Sequence, residues 1–198
     1  MLTMMPMAAC DGSNADPILP EQPGQPGNSD GGDEDDSTNP TNPIPGGNGR
    51  YLVLYCSRTG STERMAQQIQ QTLDCDILEV EPQTPYESDY NGMLNRAQEE
   101  LAAIRQGNYP AIKTSVEDFG NYDIVFVGYP IWYGSMATPM QTFLHNHASK
   151  LAGKRIALFA SSGSSGISAS VDEARTLCSG ATFTETLLLT SSTLSQMG

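Results

Sequence analysis

The chain has 198 residues, is 38 % hydrophobic and 7 % aromatic, and sets 23 acidic against ten basic side chains for a net charge of −13, which allows one full domain with an appendage. That balance argues against a basic nucleic-acid-binding surface, and no run of 18 apolar residues is present to cross a membrane. Cys10, Cys56, Cys75 and Cys178 form no C-x-x-C pair and stand at no zinc-like spacing from His145 or His147, so no metal site is expected and the last three read as buried, unreactive thiols.

The N-terminal stretch, residues 1–10 (MLTMMPMAAC), is apolar and places two small residues before Cys10. It resembles the end of a bacterial lipoprotein signal, in which the cysteine is lipidated and becomes the new N-terminus. The resemblance implies lipidation at Cys10 and an extracytoplasmic, lipid-anchored location in a bacterial cell envelope; a cytoplasmic location is the alternative. Residues 11–49 are almost entirely Asp, Asn, Gly, Pro, Ser, Glu, Gln and Thr, with no Lys or Arg. Such a segment cannot bury enough apolar surface to offset its ordering entropy, so it reads as a disordered acidic linker with a reach of roughly 35 Å as a random coil. Eight of the acids fall in this stretch, leaving 15 against ten basic residues in 50–198, a net charge of −5. This mild acidity suits docking onto a basic protein partner and equally suits plain solubility.

From Tyr51 the pattern is that of a folded domain over 50–198. Tyr51–Tyr55 (YLVLY), Asp76–Val80, Asp123–Gly128, Arg155–Ala160 and Phe183–Leu189 read as strands, and the first, third and fourth are nearly continuous apolar runs, as strands covered on both faces should be. Between them, Met65, Ala66, Ile69 and Leu73 form one helical stripe and Leu94, Ala97, Leu101 and Ile104 a second. Thr138 as N-cap followed by Pro139 opens a third helix, burying Met140, Phe143 and Leu144, and Val171, Ala174, Leu177 and Cys178 mark a fourth. Strands alternating with helices imply parallel pairing and right-handed crossovers, hence a three-layer α/β doubly wound sandwich. The residues after the fifth strand, TSSTLSQMG, are too short and polar for the last helix of such a sandwich, so one face is expected partly bare.

Ligands of open α/β sheets bind outside the carboxyl ends of the strands, where the strand order reverses. Three loops leave such ends. Ser57-Arg58-Thr59-Gly60-Ser61-Thr62 hands the first strand to a helix, whose N-terminus offers unpaired N–H groups and partial positive charge; four hydroxyls and a glycine suit it to a phosphate monoester. It lacks the Lys-Ser/Thr ending of a nucleoside-triphosphate loop. The second, Gly128–Ser135, reads as a loop presenting Trp132, the chain's one tryptophan, beside Tyr133 as exposed aromatics for stacking on a flat ring. In the third, Ser161–Gly166, two glycines let backbone amides approach polar ring edges. Each loop also has a plainer reading: a turn capping its own helix, a Trp folded onto the core, a flexible connection. Jointly they describe a site for a flat heterocycle carrying one phosphate.

These features resemble the flavodoxin family. The strand–SRTGST–helix junction, GYPIWYGSMATPMQTFL and PYESDYNGMLNRAQEEL carry the resemblance, which spans Tyr51 to about Leu189. It implies the strand order 2-1-3-4-5 and non-covalent FMN, with the phosphate held by Ser57, Arg58, Thr59, Gly60, Ser61 and Thr62. The isoalloxazine would meet Pro130, Ile131, Trp132, Tyr133 and Gly134 on one side and Ser162, Gly163 and Gly166 on the other. Arg58 is expected at the rim or along the ribityl chain, and no side chain is needed as acid, base or nucleophile. Many flavodoxins add an aromatic from the fourth-strand loop, and SSGSSGISAS has none, which leaves one flavin face open. The implied function is electron transfer with a redox partner protein; an FMN-dependent reductase of quinones or similar acceptors and a flavin-free tethered module are the alternatives.

Overall fold

The first strand, β1 (Tyr51–Tyr55), is buried at every position but Tyr51, because parallel strands lie on both sides of it and helical layers cover both faces. The computed structural model describes residues 50–194; the lipidation reading at Cys10 and the linker reading of 11–49 lie outside them. The chain divides into units 1–36 and 37–198, and all described residues belong to the second.

The elements follow in the expected alternation: α1 (Ser61–Leu73), β2 (Asp76–Glu79), α2 (Tyr90–Ile104), β3 (Ile124–Trp132), a two-residue β4 (Ser135–Met136), α3 (Thr138–His147), β5 (Arg155–Ser162), α4 (Ser168–Leu177), β6 (Thr182–Thr190) and a single turn, α5 (Ser191–Leu194). The parallel sheet runs β2-β1-β3-β5-β6. Setting aside β4, which pairs antiparallel with the end of β3, this is the order 2-1-3-4-5.

Period-two alternation divides the core. Leu52, Leu54, Val125, Val127, Ile156 and Leu158 face Met93, Ala97, Met140, Phe143, Leu144, Val171 and Ala174 of α2, α3 and α4. Val53, Tyr55 and Phe159 face Met65 and Ala66 of α1. Each fully buried aliphatic side chain contributes about 1.5–3 kcal/mol. The α1 side is the thinner layer. Only the turn α5 follows β6, and Leu187 on that strand is 49 % exposed.

Several boundaries depart from the periodicity, for physical reasons. β3 does not stop at Gly128: Tyr129 and Pro130 continue the ladder to Ala160 and Ser161, and Ile131–Trp132 fold back on Ser135–Met136 as a hairpin. Tyr133 (φ 52°) and Gly134 (φ 80°) form its two-residue turn, both in the left-handed region that such hairpins use. The stretch expected as a loop is thus strand and turn. In α2 the buried residue of the first turns is Met93, with Leu94 at the edge. Thr138 does not cap α3; Ala137 is the N-cap, and the Thr138 hydroxyl donates to Glu100.

Candidate functional site

The carboxyl ends of β1, β3 and β5 and the N-terminus of α1 enclose a cavity of about 500 Å³. Its floor is the β1–α1 junction. Gly60 is the N-cap of α1 with φ 80°, a left-handed conformation that glycine adopts without strain, and no side chain caps the helix. The first-turn N–H groups therefore lack intrahelical acceptors at the edge of the cavity, where they favour an anion. Ser57, Thr59, Ser61 and Thr62 line the same wall. Thr62 is buried, and its hydroxyl bonds that of Ser161 at 2.8 Å, tying the first loop to the third.

The opposite wall comes from Pro130, Ile131, Trp132 and Tyr133. The expected exposure of both aromatics holds for only one. Tyr133 is 53 % exposed, whereas Trp132 is 9 % exposed and belongs to the main core, its ring edge to face with Tyr86 at 5.1 Å. The hairpin turn explains the difference: Trp132 still pairs in the ladder, while Tyr133 occupies the turn. The Tyr133 hydroxyl reaches the Leu94 carbonyl at 3.4 Å.

The third wall is Ser161 to Ser165. Ser162, which lines the cavity, is buried, and its hydroxyl has no hydrogen-bond partner. An orphaned buried hydroxyl costs about 1–3 kcal/mol unless a ligand or water meets it.

Arg58 is the one charged residue among the described residues lining this cavity. Its Nη2 donates to the carbonyls of Glu87 (3.2 Å), Ser88 (2.9 Å) and Asp89 (3.2 Å), strapping the β1–α1 loop to the segment before α2. This is neither of the two orientations expected of it. Gly60, Gly134 and Gly166 are not among the described lining residues; Gly60 and Gly134 act through their backbone conformation. No described group of three or more His, Cys, Asp or Glu can hold a metal ion. Burial pushes the Cys75 and Cys178 thiols up to about 11 and the Cys56 thiol higher still, so all three are neutral thiols at physiological pH.

Sequence reasoning missed Tyr90, Met93, Leu94 and Ser191, which also line the cavity. For Tyr90 a signal existed: Asp89 is an N-cap, accepting from the Gly92 N–H at 2.7 Å, which starts α2 with an aromatic at its first position, 64 % exposed. Met93 and Leu94 follow one turn on. The placement of Ser191 depends on where β6 ends and could not be read from its neighbours.

The fold and this cavity define a doubly wound α/β protein whose site suits a flat ring and an anionic group at a helix N-terminus. The flavodoxin family model matches residues 50–197, and the chain belongs to that family. Among solved structures it is similar to the flavoprotein of Lactobacillus acidophilus NCFM in complex with FMN (26 % identity, covering 70 % of this chain and 92 % of that one, TM-score 0.61). It is also similar to a protein of Bacteroides eggerthii DSM 20697 designated a flavoprotein by inference (32 %, 75 % and 94 %, TM-score 0.63). A protein of Bacteroides uniformis ATCC 8492, so designated too, aligns at 29 % identity over 77 % of this chain and 97 % of that one, with TM-score 0.63. No curated protein matches significantly.

Proposed function

We propose that this chain binds FMN in the cavity at the carboxyl ends of β1, β3 and β5 and carries electrons for a redox partner protein. The observation that carries the reading is a conjunction within one cavity: the uncapped N-terminus of α1 and the partnerless, buried hydroxyl of Ser162. The first fits a phosphate monoester and the second a polar edge of a ring lying between Tyr133 and the 161–165 segment. That the Lactobacillus acidophilus relative was solved with FMN supports the same ligand here.

When bound, FMN supplies the redox chemistry at its ring system. The chain's own work is to hold and orient. The α1 amides and the hydroxyls of Ser57, Thr59 and Ser61 receive the phosphate, and Arg58 places a positive charge beside it. Trp132, fixed in the ladder and against Tyr86, gives a rigid wall, while Tyr133 offers an accessible ring face. An absorbance spectrum of the chain purified after FMN supplementation tests the reading. A yellow protein that releases FMN on denaturation is expected; a colourless protein that takes up none would sink it.

The 163–166 segment has no aromatic residue, and this favours a second reading, an FMN-dependent reductase of quinones or similar acceptors. Turnover with a nicotinamide donor and no partner reductase distinguishes it from a carrier. For location, the stretch ending at Cys10 supports a lipid tether to a bacterial cell envelope. Incorporation of labelled fatty acid in a bacterial host, lost in Cys10→Ser, is the expected result.

A further inference from the structure

A second cavity, of about 470 Å³, adjoins the first and shares Arg58 and Trp132 with it. It lies at the carboxyl ends of β1 and β2, beneath the segment 81–88 and beside Pro139 of α3. Nothing in the reading above uses it.

Its walls are unusual in composition. Four prolines, Pro82, Pro85, Pro130 and Pro139, line it together with the rings of Tyr86 and Trp132. Proline has no backbone N–H, so these walls present ring carbons and few donors. The two aromatic rings stand edge to face, 5.1 Å between centroids at 76°. Tyr86 is held in that pose from behind: its hydroxyl bonds Glu100 and Thr138, and the Arg96 guanidinium, paired with Glu100 at 2.8 Å, sits 4.2 Å over its ring. The pocket therefore has a pre-formed aromatic corner rather than a collapsible one.

The rim carries charges of both signs, and its cations are already engaged. Lys113 pairs with Glu81 at 3.2 Å, and Arg58 donates to the carbonyls of Glu87, Ser88 and Asp89. Glu87 adds an exposed carboxylate. An apolar pocket whose rim cations are occupied selects by shape and by ring faces, and an anion entering it would lose hydration without gaining a counter-ion. The volume lies within the roughly 300–1,000 Å³ of small-molecule sites.

We propose that this cavity is a second small-molecule site, distinct from the cofactor cavity, that takes a neutral, flat aromatic or quinonoid ring. The inference rests on the walls and rim of the second cavity and does not depend on FMN occupying the first. Trp132 is common to both cavities, so its signals cannot separate them; backbone amides can.

The test is an NMR titration of the full-length, isotope-labelled chain, both saturated with FMN and free of it, with naphthalene-2-carboxamide and the near-isosteric anion naphthalene-2-carboxylate as probes. The carboxamide is expected to shift the amides of Val80, Glu81, Tyr86 and Glu87 saturably in both preparations, leaving Gly163 and Gly166 in place. It is expected to bind at least about fivefold more tightly than the carboxylate, and Tyr86→Leu to weaken it by about fivefold or more. Absence of saturable shifts, shifts confined to Gly163 and Gly166, or equal binding of the carboxylate would each overturn the proposal. The mapping and the two-probe comparison hold without the variant. A chain that takes up no FMN but shows the expected carboxamide shifts would refute the cofactor reading and leave this site standing.

Discussion

Arg58 sits among hydroxyls at a helix start, where a phosphate-binding role is the obvious reading, and the structure gives its Nη2 three backbone carbonyls instead. Its contribution to an anion in the cavity is then long-range charge rather than direct grip, at an exposed position where such terms amount to about 1 kcal/mol or less. Arg58→Ala is expected to weaken FMN binding about fivefold or less in a fluorescence titration. Gly60→Val forces a β-branched residue to φ 80° and is expected to cost about 1–3 kcal/mol in binding or folding, the larger effect of the two. Equal losses would show that charge matters more than the shape of the loop. His147 offers a residue-scale prediction in pH. Its Nε2 accepts from the Val116 N–H at 3.2 Å, and its Nδ1–H donates to the Phe143 carbonyl at 2.8 Å, so the neutral ring joins α3 to the segment before β3. Burial, then Lys150, hold its pKa below the ordinary imidazole value, against the Phe143 carbonyl and Glu117. A lowered folded-state value means that the unfolded chain takes up the proton first. The stability is thus present above about pH 6.5 and lost as pH falls below it. Urea midpoints of the wild type should drop between pH 7.5 and 5.5, and His147→Gln should be less stable at pH 7.5 with a flatter profile.

At the scale of elements, β3 and β5 carry the constraint that fixes the cofactor cavity. Gly128 pairs with Phe159, and a Cβ at Gly128 would stand 2.1 Å from the Phe159 ring. No side-chain shift of a few tenths of an ångström relieves such a clash, so Gly128→Ala is expected to destabilise the fold by about 1–3 kcal/mol or more by chemical denaturation. Gly128→Ala with Phe159→Leu should recover part of that loss; no recovery would place the cost in the backbone. The strands, their parallel order and three of the helical stripes were legible because burial on both faces writes itself as continuous apolar runs. The end of β3 was not. Tyr129-Pro130-Ile131-Trp132 carries a proline and two aromatics after a glycine, a local signature of a loop, and only the neighbouring Ala160 and Ser161 make it a strand. The same hairpin reversed the expectation for Trp132, which pairs and packs, and left Tyr133 to face solvent.

For the molecule as a whole, cofactor and fold are thermodynamically linked. FMN held only by the native state stabilises it by about 2.7 kcal/mol at a free concentration 100 times its Kd. For a folded region of this size that corresponds to a rise in Tm of roughly 5–10 °C, which a thermal melt with and without FMN will show. A melt insensitive to FMN would contradict binding in the cavity.

What the sequence by itself determined is the alternation of strand and helix, the two-sided core and the three loops at one edge of the sheet, because these follow from local periodicity and from the residue types that helix starts and turns require. Only the tertiary structure decided how those loops close on one another. Tyr90 and Met93 come from a connection more than thirty residues along the chain, Arg58 is drawn to the carbonyls of 87–89, and Tyr86 and Trp132 meet to frame a second cavity. Contacts between segments so far apart depend on the packing of the whole sheet, and no short stretch of sequence encodes them.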